Sequence, residues 1–252
     1  MDSIALRRRR IEELVKQDYV RAYVLYYFGI RFYEYSDRTL EEVCRDRGLN
    51  VEQVVQEMES PNHPLSEESL PLVSYSMDLI IEYLKHAHFL FIKHKLPYIA
   101  RLVESFQSNH RKYAPVVRDL KTLFPLFVDD FIQHIYLEED TLFRYIHLLD
   151  KAASTRYNPA KLFYMMENYS IRRFSTEHEV HDDEMEGIRR ITSDYSVDDH
   201  TPLHIRVIYA ELKGLEKSLQ THARIENDIL FPKALLLENQ VKGMIQAKIK
   251  FN

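Results

Sequence analysis

Residues 134–143 read HIYLEEDTLF and residues 222–231 read HARIENDILF, and both fit H-x-x-x-E-x-D-x-L-F. Within each copy the imidazole and the carboxylate lie four residues apart, so on a helix they share one face. Imidazole nitrogen and carboxylate oxygen together are a donor set for iron or manganese, and one that zinc also accepts. A single histidine in a helical core is commonly just a hydrogen-bonded core residue. The repetition of the whole ten-residue pattern is what points to a shared cation site.

The apolar stripes around these residues say which way they point. In the second copy Ile208, Leu212, Leu215, Leu219, His222, Glu226 and Ile229 step by fours and threes along one helix face. In the first copy the stripe is Phe127, Phe131, His134, Glu138 and Leu142. In both, a His and a Glu interrupt an otherwise apolar row. A buried carboxylate needs a cation or a full set of hydrogen bonds. Two further stripes carry histidine: Ile81, Leu84, His88, Phe91 or Ile92, and Ile99 in one, Phe174, His178, His181, Met185 and Ile188 in the other. His86 and His94 fall off the first of these.

His88, His134, Glu138, His178, His222 and Glu226 therefore form a four-His, two-Glu constellation, enough for two metal ions. If both Glu bridge, each metal receives two His nitrogens and two carboxylate oxygens, and a bridging solvent oxygen raises the count to five. Octahedral iron would keep one position open for oxygen, nitric oxide or peroxide. Two iron ions in an oxo-bridged pair are the expected cofactor, with manganese and zinc as alternatives. His181 is a candidate extra ligand or supporting donor. Asp130, one turn before His134, and Glu177, beside His178, are candidates to orient the imidazoles. Glu139, one position off the stripe, is expected to face solvent. The order His-x-x-x-Glu differs from the Glu-x-x-His of ferritin-like di-iron bundles, and His178-Glu179-Val180-His181 lacks the spacing of a zinc-protease helix.

Helical periodicity dominates the chain, which reads as all-α. Four long segments, at about 73–108, 114–152, 159–193 and 203–237, carry the four stripes. Short connections between them predict an antiparallel four-helix bundle over about 73–240. A small helical N-terminal domain is expected over 1–60, and Ser60-Pro61-Asn62-His63-Pro64 opens a linker over 61–72.

Composition narrows the functions. Only 5 Gly and 9 Pro in 252 residues argue against a turn-rich β fold. The single cysteine, Cys44, excludes a disulfide framework and all-cysteine metal sites, fits a reducing cytoplasm, and reads as a core residue. A net charge of −5 gives no electrostatic case for nucleic acid. No run reaches the roughly 18 apolar residues of a membrane span.

From about residue 75 to 237 the chain resembles the hemerythrin-like family, and specifically its RIC (repair of iron centres) di-iron proteins. The resemblance is carried by His88 ahead of IKHKLPYI, by HIYLEEDTLF, by EHEVHDDEMEGIRRITSDY and by HARIENDILFPKAL. It implies iron ligation by His134, Glu138, His178, His222 and Glu226, with the remaining histidine aligning at His88 or one residue later, at Phe89. The segment YFGIRFYEYSDRTLEEVCRDRGLNVEQVVQEM resembles the family's short N-terminal domain, but Tyr33 and Glu34 stand where that domain carries adjacent cysteines. The resemblance implies a role in the oxidative and nitrosative stress response, assisting repair of damaged iron–sulfur clusters, with iron–sulfur proteins or apo-clusters as partners. The alternatives are a reversible oxygen or nitric oxide sensor, and a di-iron peroxidase or nitric oxide reductase.

Overall fold

In the computed structural model of this protein the regular elements of the described residues are helices, as the periodicity predicts. Among the described residues there is no strand, and one isolated antiparallel bridge joins Arg10 and Thr39. The structure describes residues 3–59, 72–106, 112–154, 159–180 and 185–250. The expected linker therefore lies almost wholly outside the described residues.

The N-terminal elements are α1 (Ser3–Arg7), α2 (Ile11–Gln17), α3 (Val20–Tyr27), α4 (Leu40–Asp46) and α5 (Val51–Glu59), with a 3-10 turn at Phe32–Glu34. Thr39 starts α4 through a reciprocal capping box. Its hydroxyl accepts from the Glu42 N–H, and the Glu42 carboxylate accepts from the Thr39 N–H. Gly48, at φ +67°, ends the same helix in the left-handed region, where Leu49 N–H reaches back to the Cys44 carbonyl at 2.8 Å. Cys44 is buried, and desolvation pushes its thiol pKa up.

By packing, residues within 1–68, 97–121 and 191–214 form one unit, and residues within 69–96, 122–190 and 215–252 form another. In the first unit His204 is sandwiched among aromatic rings. It stacks on Tyr33 at 4.6 Å and meets Phe106 edge-on at 4.8 Å, while its Nε2–H donates to the Leu102 carbonyl. Tyr33, one of the residues at the cysteine-pair positions, is thus a packing partner here. Glu34, the other, pairs with Arg31 at 2.9 Å.

Three long helices contribute residues to both units. Helix α6 covers residues 77–105 as Met77–Leu90, a π-helical turn at Phe91–Lys95, and Leu96–Ser105. Helix α7 covers 114–154 as Ala114–Leu137, a π segment at Glu138–Phe143, and Arg144–Ser154. Helix α11 covers 203–250 as Leu203–Ile225, a π turn at Glu226–Leu230, and Phe231–Lys250, and so runs well beyond the expected 237.

The third segment is not one helix. It is α8 (Pro159–Asn168), α9 (Ile171–Val180) and α10 (Glu186–Thr192). The break at 169–170 has a visible cause in Glu238 of α11, which is 1% exposed. Its Oε1 accepts from the Ile171 N–H at 3.3 Å and from the Tyr145 hydroxyl at 2.7 Å, and Lys242 donates to its Oε2 at 3.0 Å. A buried carboxylate satisfied by the first N–H of α9 makes a new helix start there more favourable than continuation.

The π turns also differ from the uninterrupted α-helices the periodicity predicts. Two have a chain-encoded cause. Pro97 and Pro232 each follow a π turn by two residues, and a proline can neither donate to the carbonyl four residues back nor fit its ring against it. The widened turn before each relieves that clash, with Leu96 N–H bonding to Phe91 O and Phe231 N–H to Glu226 O, five residues back. The π segment of α7 has no such proline.

Candidate metal centre

Each π turn sits at a candidate ligand. Glu138 is the first residue of the π segment in α7, Glu226 the first in α11, and His88 lies three residues before the one in α6. An extra residue in a turn re-aims the side chains on either side of it, which is why single π turns concentrate at functional sites. Here the stripe before the turn and the stripe after it both stay buried. Phe131 and Leu142 flank Glu138, and Leu215 and Leu230 flank Glu226, all of them in the core.

Four side chains from three helices meet. His88, Glu138, His222 and Glu226 are all buried, and one ligating atom of each lies within 4.8 Å of all the others. The Nε2 atoms of His88 and His222 are 3.0 Å apart. Glu138 Oε2 lies 3.4 Å from His88 Nε2, and Glu226 Oε1 lies 3.3 Å from His222 Nε2. His134 joins from the side, its Nε2 3.3 Å from Glu138 Oε1. Aromatic rings wall the cluster, with Phe143 stacked 5.9 Å from His88, Phe91 edge-on to His222 at 5.9 Å, and Phe131 stacked on His134 at 6.5 Å.

The hemerythrin HHE cation binding domain matches residues 79–234, a span that holds the whole cluster and both copies of the repeat. The chain belongs to the hemerythrin HHE family. It is also similar to the iron–sulfur cluster repair protein ScdA of Staphylococcus haemolyticus (strain JCSC1435), with 20% identity over 228 residues that cover 88% of this chain and 96% of that protein. Among the described residues no helix is long and apolar enough to cross a membrane.

The residues present fit the cation that this family's name describes. Metal–nitrogen and metal–oxygen bonds of about 2.0–2.2 Å place two donors on opposite sides of one ion about 4–4.4 Å apart, close to the spread of this cluster. Two buried carboxylates beside imidazoles also supply the negative charge that a divalent ion neutralises, in a setting where uncompensated charge is costly. Without a metal, the charges compensate each other. Burial pulls the His88 pKa down, but Glu138 and Glu139 outweigh it and leave the imidazole above its ordinary value. Burial likewise opposes ionisation of Glu138, yet His134 and His88 bring its carboxyl well below the usual carboxylate range.

The other sequence-predicted residues are placed unevenly. His134 is less buried than its repeat counterpart, with its side chain 24% exposed against 8% for His222. It lines an open cleft with Leu123, Leu126, Gln133, Ile188 and Asp130, whose carboxylate is on the exposed side. His178 and Glu177 lie on α9, but their side chains fall outside the described residues, and His181 lies outside them altogether. On α6, His86 is exposed and His94 half-buried, as expected of residues off the stripe. Phe89, the other alignment for that helix's histidine, is 51% exposed.

Glu139 corrects the helical-face reading. It does not simply face solvent. Its Oε1 accepts from the Nδ1–H of His88 at 2.8 Å, and its side chain is only 34% exposed. The π segment beginning at Glu138 is the physical reason, because it opens the turn so that consecutive residues 138 and 139 both reach His88. The sequence signal that could have revealed it was the second Glu of HIYLEEDTLF, absent from the other copy.

Proposed function

We propose that this chain is a non-haem di-iron protein of the oxidative and nitrosative stress response that assists repair of damaged iron–sulfur clusters in the cytoplasm. The observation that carries the reading is the convergence of two buried Glu and two buried His, three of the four from a duplicated motif. The name of the ScdA relative supports the biological role. Iron bound here would supply a redox-active Lewis acid with room for a small ligand. His88 and His222 would offer Nε2 lone pairs, Glu138 and Glu226 would offer carboxylate oxygens, and His134 and His178 would complete the set. Glu139 holds His88 in the tautomer that turns Nε2 inward. Phe91, Phe131 and Phe143 keep bulk water from the buried side. Metal would be held firmly enough to assemble the site and loosely enough to be passed to an apo-cluster.

The test is reactivation of an iron–sulfur hydratase whose cluster has been damaged by peroxide or nitric oxide. Iron-loaded protein restores activity faster than free ferrous iron at the same concentration, and the Glu226→Leu variant does not. Equal reactivation by both proteins would refute the reading.

The cleft beside His134 favours a second reading, reversible capture of oxygen or nitric oxide, because it brings solvent to one edge of the cluster. Stable gas adducts without any cluster reactivation would select it.

A further inference from the structure

The repeat that builds the centre is broken at one position next to a ligand. After His-x-x-x-Glu the first copy has Glu139 and the second has Asn227. Glu139 accepts the Nδ1–H bond of His88 at 2.8 Å, so the imidazole that faces His222 at 3.0 Å is backed by a carboxyl group. A carboxylate behind a ligating imidazole fixes the ring's tautomer and orientation and raises its basicity, and losing such a partner typically costs 10–100-fold in metal affinity. At the equivalent register of α11, a carboxamide brings no charge. Solvent access is unequal in the same sense. His88 is 1% exposed and His222 8%, whereas the side chain of His134 is 24% exposed and lines a cleft.

We infer that the two metal positions of the centre are unequal. The position served by His88 and His222 retains its metal because Glu139 backs His88. The position served by His134 is the one that gives its metal up. Glu139 is in this sense a positioning residue that acts through His88. The inference rests on the di-metal reading above and adds to it which half of the site is the exchangeable one.

The experiment follows metal release. Protein loaded anaerobically with ferrous iron to full occupancy, confirmed by elemental analysis, is mixed with excess bipyridine, and the coloured chelate is recorded over time. The wild type should release its iron in two phases of equal amplitude with rates at least about ten-fold apart. Glu139→Asn, which makes the first copy match the second, should lose the slow phase. Glu139→Gln, which keeps the side chain's length and removes its carboxylate, should lose the slow phase as well. Release of all the iron in one phase by the wild type, or an unchanged slow phase in Glu139→Asn, would overturn the inference while leaving a di-iron site standing. If Glu139→Asn does not fold, as judged by circular dichroism, an unchanged slow phase in Glu139→Gln overturns it instead. A wild type that never takes up two irons refutes the function proposed above, and this inference with it.

Discussion

His88 and His222 point their Nε2 atoms at each other across 3.0 Å, although they lie 134 residues apart in the chain. Two imidazole nitrogens at that distance repel unless a proton or a cation sits between them. With the Nδ1–H of His88 already committed to Glu139, the facing nitrogens form the mouth of a cation site. Replacing either His88 or His222 by Ala should therefore cut iron content at least about ten-fold at fixed free metal, a loss on the scale of removing one ligand or its support. His86→Ala and His94→Ala should leave it unchanged, because His86 is exposed and His94 half-buried, off the buried stripe that holds His88. Elemental analysis of the four purified variants checks this, and equal iron in all four would refute the placement of His88.

Glu226 supports His222 in the metal-free protein. Its Oε1 lies 3.3 Å from His222 Nε2 and it is 0% exposed, and removing one partner of a buried pair typically costs about 3–5 kcal/mol. Glu226→Leu should accordingly lower the Tm of the metal-free protein, and should also abolish the further rise that iron gives the wild type. Thermal unfolding with and without iron reads both effects. An unchanged metal-free Tm combined with a retained response to iron would contradict the role assigned to this carboxylate.

Glu238 should also stabilise the fold, through different partners. Its removal leaves the Tyr145 hydroxyl and the Ile171 N–H buried without their acceptor, so Glu238→Ala should cost about 2–4 kcal/mol. Because Ile171 opens the helix that carries His178, hydrogen exchange should quicken along 171–180 in the same variant. Urea denaturation and exchange mass spectrometry check the two effects, and unaltered protection of 171–180 would show that Glu238 does not hold that helix.

The His204 ring gives the metal-free protein a pH dependence of stability. Burial lowers its pKa to about 4, against an unfolded value near 6.5. Between those values the unfolded chain binds the proton and the folded one does not, so stability is complete above about pH 6.5 and falls as pH drops toward 4. The loss should reach about 2–3 kcal/mol, or somewhat less with partial solvent screening. His204→Gln should flatten that window relative to the wild type in urea titrations at pH 7, 6, 5 and 4. An identical slope in both proteins would exclude His204 as the source.

The helical class and the inward faces of His88, Glu138, His222 and Glu226 were legible because burial on a helix follows its periodicity. Periodicity describes one helix at a time. It could not show that residues within 97–121 and 191–214 pack with the N-terminal segment. It could not show that Glu238, distant in sequence, restarts the third segment at Ile171. It also assumes a constant 3.6-residue turn, and the π segment at 138–143 departs from that, which is why Glu139 reads as a surface residue in the sequence yet bonds to His88 in the fold. Two of the π turns left a trace in the chain, the prolines at 97 and 232. The third left none.

The central claim is that this fold holds a pair of irons between its repeats. Elemental analysis and Mössbauer spectroscopy of protein purified after iron-replete expression in its own host test it most directly. The account predicts about two irons per chain in a magnetically coupled pair. A single tightly held zinc, or one isolated iron per chain with no coupling, would contradict it.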